Sequence, residues 1–130
     1  MQYLLMIYQR EEEEDAAPGD GAAGDGGPDG PPVSREDYAR FNETYGARGV
    51  LLGGAELQAT DTATSVRVRS GEVLLTDGPF AETKEQLAGY YVVECESLDE
   101  AIEVASAVPG ARHGTIEIRP QVQGVGPSSS

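Results

Sequence analysis

The polar residues that could carry chemistry are concentrated in one stretch, residues 77–86, which reads DGPFAETKEQ. Asp77 ends a predicted strand and could face a cleft against a second subunit, so it is the first candidate acid or base. Glu82, in the same stretch, is the second candidate carboxylate. Lys84, the single lysine of the chain, lies between Glu82 and Glu85, so we expect a charged ammonium in a salt bridge. Asp-Gly-Pro is also ordinary turn chemistry, and a plain connection between strands is the alternative.

Three further candidates lie elsewhere in the chain. His113 is the single histidine and precedes the last predicted strand, where an imidazole could exchange protons near neutral pH. An exposed loop histidine without a role is the alternative. Arg67 and Arg69 lie on a strand next to the one that Asp77 ends, where they could pair with Asp77 or bind an anionic ligand.

Net charge, cysteine count and missing motifs argue against several classes of function. The 130 residues carry a net charge of −14, which argues against nucleic-acid binding through a basic face. One cysteine, Cys95, cannot form an intrachain disulfide or a cysteine metal cluster, and no nucleotide-binding, metalloprotease or hydrolase motif occurs. We therefore predict no cofactor and no metal. The sequence has no run of 18 apolar residues and no signal-peptide pattern, so we expect a cytoplasmic protein with no membrane partner.

The chain is expected to form a single domain over residues 1–120, interrupted by an acidic segment at about 10–32. That segment is dominated by Glu, Gly, Pro and Asp and has no apolar residue larger than Ala, so we predict that it is disordered. A metal-binding acidic loop is the alternative, but the spacing of a calcium loop is missing. Residues 121–130 are predicted to be a frayed tail.

Residues 2–8 are apolar on both faces of a predicted strand, so both faces must be covered. A first helix is predicted to begin after Ser34, which with Asp37 forms a capping box. Tyr38, Phe41 and Tyr45 follow at helical spacing. This stripe favours a core-facing surface, and an aromatic ligand cage is the alternative.

The remaining predicted elements are a short buried strand at 50–52 that Gly53 and Gly54 end, a hairpin of strands 64–69 and 72–76, a strand at 88–96, a second helix after Ser97, and a strand at 115–119. The hairpin turns at Ser70-Gly71, with Val66 and Val68 facing inward. In the second helix, Ser97 and Glu100 predict a full capping box. The buried stripe predicted for that helix is Leu98, Ala101, Ile102, Ala105 and Val108.

This element order predicts an α+β fold, a split βαβ arrangement with an inserted hairpin, an antiparallel sheet and both helices on one face. Because the strand at 88–96 also carries Tyr and Val on its second face, a single copy would expose a large apolar patch. We therefore predict a homodimer in which two sheets meet face to face.

The segments QYLLMIY, GVLLGGAEL, TATSVRVRSGEVLLTDGPFAETKEQLAGYYVVE, ESLDEAIEVA and GTIEIRP closely resemble the DGPFAETKE group of YCII-related domain proteins. The resemblance covers about residues 2–8 and 34–120. It implies a ferredoxin-like fold that pairs as a dimeric α/β barrel, and a link to extracytoplasmic-function sigma factors. Some relatives have a proposed His–Asp pair with the histidine near the position of Tyr38. The first helix contains no histidine, so that pair does not carry over, and Tyr38 becomes a candidate ligand-binding residue.

Three functions stay open at this point. The first is a small-molecule-binding or regulatory dimer linked to a sigma factor. The second is a cofactor-free isomerase or lyase acting on a small polar organic acid in the dimer cleft. The third is a structural dimer without a ligand. Convergence of Asp77 with an arginine around a cleft would favour the enzyme.

Overall fold

The computed structural model describes residues 1–11, 33–79 and 84–122. The predicted disorder over most of 10–32, the candidate Glu82 and residues 123–130 of the predicted frayed tail lie outside the described residues. The described elements, in chain order, are β1 (Gln2–Gln9), α1 (Arg35–Ala47), β2 (Leu51–Glu56), a 3₁₀ turn (Thr60–Thr62), β3 (Thr64–Arg69), β4 (Glu72–Asp77), β5 (Gln86–Glu94), α2 (Leu98–Ala107), a second 3₁₀ turn (Pro109–Arg112) and β6 (Thr115–Pro120).

Four of the strands form one antiparallel sheet in the order β2-β5-β1-β6, and β3 and β4 pair only with each other as a second sheet. With two helices as crossovers, this is the ferredoxin-like split βαβ order with an inserted hairpin. The predicted α+β fold is confirmed. Within one chain the four-stranded sheet is open and does not close into a barrel.

The core lies between the two helices and the front face of the sheet. Tyr3, Leu5 and Ile7 of β1 are buried there beside Phe41 of α1 and Val104 of α2. Alternation along each strand places every second side chain on this face, and the intervening side chains form the back face. No helix in the described part of the chain packs on that back face.

Helix α1 begins and ends at residues whose types are typical of helix caps. The Ser34 hydroxyl accepts from the Asp37 amide, and the Asp37 carboxylate accepts from the Ser34 amide, so the predicted capping box is confirmed. At the other end, the Val50 and Gly49 amides donate to the carbonyls of Tyr45 and Gly46. Together with the positive φ of Gly49, these two bonds form a Schellman motif that ends the helix.

Helix α2 departs from the prediction at both its cap and its buried stripe. The Ser97 hydroxyl accepts from the Glu100 amide, but the Glu100 carboxylate accepts from the amide of Glu96, so the predicted full box is wrong. Leu98 and Ile102 are exposed rather than buried. The buried stripe is formed by Ala101, Val104, Ala105 and Val108.

Two strand predictions are also wrong. Gly53 and Gly54 do not end β2, which continues to Glu56 at the edge of the sheet, and Leu52 is exposed. A Cβ at Gly54 would lie only 2.5 Å from the Tyr90 carbonyl oxygen, so the glycine lets β2 approach β5 closely. In the hairpin, Val66 and Val68 do not face inward, because the described chain places nothing over them.

No helix among the described residues has both the length and the apolar character needed to cross a bilayer.

Candidate functional site

A cavity of about 570 Å³ opens between α1 and the end of the sheet where β2 pairs with β5. Helix α1 and the residues before it form one wall, and the strands form the other. The side chains with polar groups that line it are Gln9, Ser34, Arg35, Tyr38, Asn42, Glu56, Tyr90 and Tyr91. A volume of this size lies within the range of small-molecule sites.

Tyr38 is held in the cavity by a hydrogen bond from the backbone. Its hydroxyl oxygen accepts a hydrogen bond of 3.1 Å from the backbone N–H of Gly110, in the second 3₁₀ turn. The hydroxyl proton has no acceptor among the described residues. Burial of the ring raises the pKa of Tyr38, so the phenol is neutral at physiological pH.

Tyr91 faces Tyr38's helix from the middle of β5. Its hydroxyl donates to Oδ1 of Asn42 across 2.6 Å, which leaves the Asn42 amide N–H groups for another acceptor. Burial is the main cause that raises the pKa of Tyr91 to about 12, with smaller contributions from Tyr38 and Glu56. The hydroxyls of Tyr38 and Tyr91 are therefore hydrogen-bond donors or neutral acceptors, and not phenolates.

Glu56 supplies a carboxylate at the end of β2. It lies close enough to Tyr38 and Tyr91 that its negative charge contributes to the raised pKa of each hydroxyl. The close approach of strands that places it here depends on Gly89, where a Cβ would lie 2.9 Å from the Ala55 carbonyl oxygen. The cavity thus combines a charged acceptor and a neutral phenol on its strand wall with the neutral phenol of Tyr38 on its helix wall.

The described residues contain no group of three or more His, Cys, Asp or Glu side chains placed to hold a metal ion. The polar side chains of the cavity instead carry amide, phenol and hydroxyl groups with one carboxylate and one guanidinium. Such groups bind and orient a small organic molecule by hydrogen bonding.

Of the site residues predicted from sequence, Tyr38 lines the cavity, and Glu82 lies outside the described residues. Asp77 ends β4, where it pairs with Thr64 at the base of the hairpin. The other candidates, Arg67, Arg69, Lys84 and His113, are all exposed and do not line the cavity. The structure therefore does not bring Asp77 and the arginines to Tyr38, and a role for them in binding or catalysis stays a prediction.

The sequence analysis did not single out Asn42, Glu56 or Tyr91. Asn42 follows Tyr38 by four residues, a spacing that places both side chains on one helix face, so it could have been found. Glu56 and Tyr91 could not, because they meet α1 only through the pairing of β2 with β5.

Comparison with known proteins gives the family. The sequence profile of the YCII-related domain family matches residues 1–123 of the chain. The chain belongs to the YCII-related domain family. An uncharacterized protein of Rhizobium meliloti is 42% identical over 86 residues, which cover 65% of this chain and 69% of that protein.

Among solved structures, this YCII-related chain is similar to a 5-chloro-2-hydroxyhydroquinone dehydrochlorinase from Burkholderia phenoliruptrix, solved in complex with 2,5-dihydroxybenzoquinone. The TM-score is 0.48 and the sequence identity 12%, with 95% of this chain and 96% of that chain covered. Family membership confirms the resemblance drawn from the quoted motifs.

Proposed function

We propose that this YCII-related protein binds a small, uncharged organic molecule with hydroxyl or carbonyl groups in the cavity beside α1. The observation that carries the proposal is the Tyr38 hydroxyl, whose oxygen is already occupied by the Gly110 N–H while its proton remains available. A ligand oxygen is the natural acceptor for that proton. Asn42, whose Oδ1 is taken by Tyr91, offers its amide N–H groups to a second ligand oxygen.

Among the described residues, the two charged side chains that line the cavity, Glu56 and Arg35, offset each other, so the cavity has no net positive charge that would select the organic acid expected from sequence. Glu56 contributes negative potential at both phenols. An anion placed against Tyr38 and Tyr91 would be repelled by that carboxylate. The arginines that suggested an anionic ligand, Arg67 and Arg69, lie on the hairpin and not along the cavity.

The proposal is tested by isothermal titration and thermal shift with a panel of neutral phenols, polyols and lactones matched to carboxylates of similar size. We expect at least one neutral class to bind, and Tyr38→Phe to weaken that binding roughly tenfold through loss of one hydrogen bond. Asp77→Asn is the matched control, because it alters the first sequence candidate outside the cavity. Binding lost in the Asp77 variant and kept in Tyr38→Phe would move the site to the hairpin base. Failure of every ligand class would favour a structural dimer.

The proposal includes a regulatory role for ligand binding, because the family is expected to be linked to extracytoplasmic-function sigma factors. If the link applies, the gene lies beside such a sigma factor, and deleting it changes transcription from that factor's promoters. Unchanged transcription would leave ligand binding without the regulatory role.

A cofactor-free isomerase or lyase is the second candidate, favoured by the proximity of Glu56 to two neutral phenols. In such an enzyme the carboxylate would remove a proton from carbon next to a ligand carbonyl, and a phenol would donate a hydrogen bond to the developing oxyanion. Proton exchange of the bound ligand in D₂O, followed by NMR, distinguishes the two functions. An enzyme exchanges the proton and loses that exchange, but not binding, in Glu56→Gln; a binding protein shows none.

A further inference from the structure

A second cavity, which we call the arginine groove, lies between α1 and the end of α2. Its volume is about 330 Å³, at the lower end of the range for small-molecule sites. Among the described residues it shares no lining side chain with the cavity beside Tyr38, because the two use opposite faces of α1. The α1 residues that line the groove are Asp37, Arg40, Phe41, Thr44 and Tyr45.

The floor of the arginine groove is apolar. Phe41 of α1 and Val108 and Pro109 at the end of α2 line it and are buried. The rings of Phe41 and Tyr45 lie 4.9 Å apart between centroids, so part of the floor is aromatic. An apolar ring or a short carbon chain can pack on such a surface and release water from it.

Two guanidinium groups line the groove and share one carboxylate. Nη2 of Arg40 lies 3.1 Å from Oδ1 of Asp37, and Nη2 of Arg112 lies 2.9 Å from Oδ2 of the same side chain. Each contact uses a single nitrogen, whereas a guanidinium can form two parallel bonds to one carboxylate. Nη1 of each arginine has no acceptor in the part of the chain that the structure describes, so both groups keep donors for a further acceptor.

The groove is positively charged, although the whole chain carries −14. Its described lining contains two arginines, Arg40 and Arg112, and one acid, Asp37, which leaves one positive charge in excess. The Asp37 carboxylate stays ionised near neutral pH, because the Ser34 amide and then Arg112 lower its pKa to about 2. One negative charge on a ligand therefore neutralises the groove, and a second negative charge would be left without a partner.

We propose that the arginine groove binds a small monocarboxylate whose remaining part is an apolar ring or chain. The ligand carboxylate accepts hydrogen bonds from the remaining N–H groups of Arg40 and Arg112, a pairing to which the planar guanidinium is suited. The apolar part of the ligand lies on the floor beside Phe41 and Tyr45. This site is separate from the cavity beside Tyr38, so the proposal does not depend on the neutral ligand proposed there.

Amide NMR titration of the whole chain tests the proposal with three probes: benzoate, its neutral analogue benzamide, and inorganic phosphate. We expect benzoate to bind with a millimolar dissociation constant, roughly tenfold more tightly than either of the others. Benzamide lacks the charge that the arginines select, and phosphate lacks an apolar part for the floor. The amides of Thr44 and Ser106, which line the groove, should shift as benzoate saturates the protein.

Three results of this titration would overturn the proposal. The first is benzamide or phosphate bound as tightly as benzoate. The second is the absence of any saturable change with benzoate at millimolar concentrations. The third is a set of shifts confined to residues of the other cavity, such as Asn42 and Tyr91.

Arg40→Gln and Arg119→Gln form a matched pair for the same titration. Both side chains are 69% exposed and contact a carboxylate on their own element, but Arg119 lies on β6 and does not line the groove. We expect Arg40→Gln to weaken benzoate binding roughly threefold or more and Arg119→Gln to leave it unchanged. Equal effects of the two substitutions would show that only the overall charge of the chain matters, and would overturn the proposal.

Arg112→Gln should weaken benzoate binding further, by roughly tenfold, because Arg112 is less exposed than Arg40 and its charge is less screened. Far-UV circular dichroism checks that this variant folds, since Arg112 also joins the second 3₁₀ turn to α1. The Arg40 variant keeps the test decisive if it does not, because the Arg40 contact lies within α1 alone. Unchanged benzoate affinity in a folded Arg112 variant would contradict the proposal.

Discussion

The backbone N–H of Gly110 lies 3.1 Å from the hydroxyl oxygen of Tyr38, and this contact joins the second 3₁₀ turn to helix α1. Gly110 is buried in a crowded position. A Cβ there would lie 2.8 Å from the Tyr38 hydroxyl oxygen, 2.9 Å from Nε2 of Gln9 and 3.1 Å from Cγ2 of Ile7. Because Gly110 has no side chain, the Tyr38 hydroxyl can lie directly against the backbone of the 3₁₀ turn.

Gly110→Ala should accordingly lower stability and ligand affinity together. The added methyl group must displace Tyr38 or the 3₁₀ turn, and overpacking of this kind costs roughly 1–3 kcal/mol. Urea unfolding measures the stability change, and titration with a cavity ligand measures the affinity.

Gly46→Ala is the matched control. Gly46 lies in the last turn of α1, where a Cβ would have no atom within 4 Å. Replacing a helical glycine with alanine stabilises by roughly 0.5–1 kcal/mol. If both alanine variants changed stability alike, the crowding at Gly110 would not exist in solution.

Val104→Ala should destabilise the protein far more than Ile102→Ala. Val104 is 0% exposed in the core, whereas Ile102 is 45% exposed on the outer side of α2. Losing two buried methyl groups and leaving a cavity costs roughly 2 kcal/mol, and truncating a surface side chain costs less than about 1 kcal/mol. The denaturant midpoints of the two variants show which substitution destabilises more. A larger loss for Ile102→Ala would mean that the buried stripe predicted from sequence is the correct one.

The α2 error has a physical origin in the sequence itself. Ala101 and Ala105 belong to two overlapping stripes, one completed by Ile102 and one by Val104. Both have helical spacing, and only the rotation of the helix against the sheet selects between them. The order of helices and strands along the chain and the start of α1 were predictable because caps, turns and apolar runs are local signals, as the Ser34–Asp37 box demonstrates.

The sequence analysis did not predict the cavity of the candidate site, and among its lining residues named only Tyr38 as a candidate site residue. Its polar groups lie on α1, β2 and β5, and their proximity depends on how the strands pair rather than on any local pattern. Gly53 and Gly54 were interpreted as the end of a strand, although Gly54 instead allows β2 and β5 to approach each other closely. That interpretation removed Glu56 from the sheet and so from the candidate site.

Stability should fall between pH 10 and about 12, and Tyr91 should contribute to the fall. The pKa of Tyr91 is raised from 10.0 to about 12 in the folded protein, mainly by burial. Between those values the unfolded chain has lost the proton that the folded protein keeps, so rising pH favours unfolding. The contribution is complete below the unfolded pKa and is lost as pH rises through the folded one.

Tyr91→Phe provides the comparison for this pH dependence. Subtracting its ultraviolet titration from that of the wild type isolates the Tyr91 phenol, and we expect a midpoint near 12. Thermal melts of the same two proteins should show a shallower alkaline loss in the variant. A difference titration centred near 10 would mean that burial does not raise the pKa of this hydroxyl.

At acid pH, Asp37 should lose its contribution to stability as pH falls from its unfolded value of 3.8 toward about 2. The Ser34 amide is the main cause of the lowered pKa, and Arg112, 2.9 Å from the carboxylate, is the next. Because the folded protein holds the charged form, the contribution is complete above 3.8. Arg112→Gln should therefore raise the pKa of Asp37, as measured by NMR titration of its side-chain carboxyl carbon.

Arg40→Gln is the matched control for the arginine, since Arg40 also contacts the Asp37 carboxylate, at 3.1 Å. Its side chain is 69% exposed, against 37% for Arg112, so solvent screens its charge more strongly. We expect Arg40→Gln to move the pKa of Asp37 less than Arg112→Gln does. A larger shift in the Arg40 variant would show that the bond from Arg112, which ties the second 3₁₀ turn to α1, is not maintained in solution.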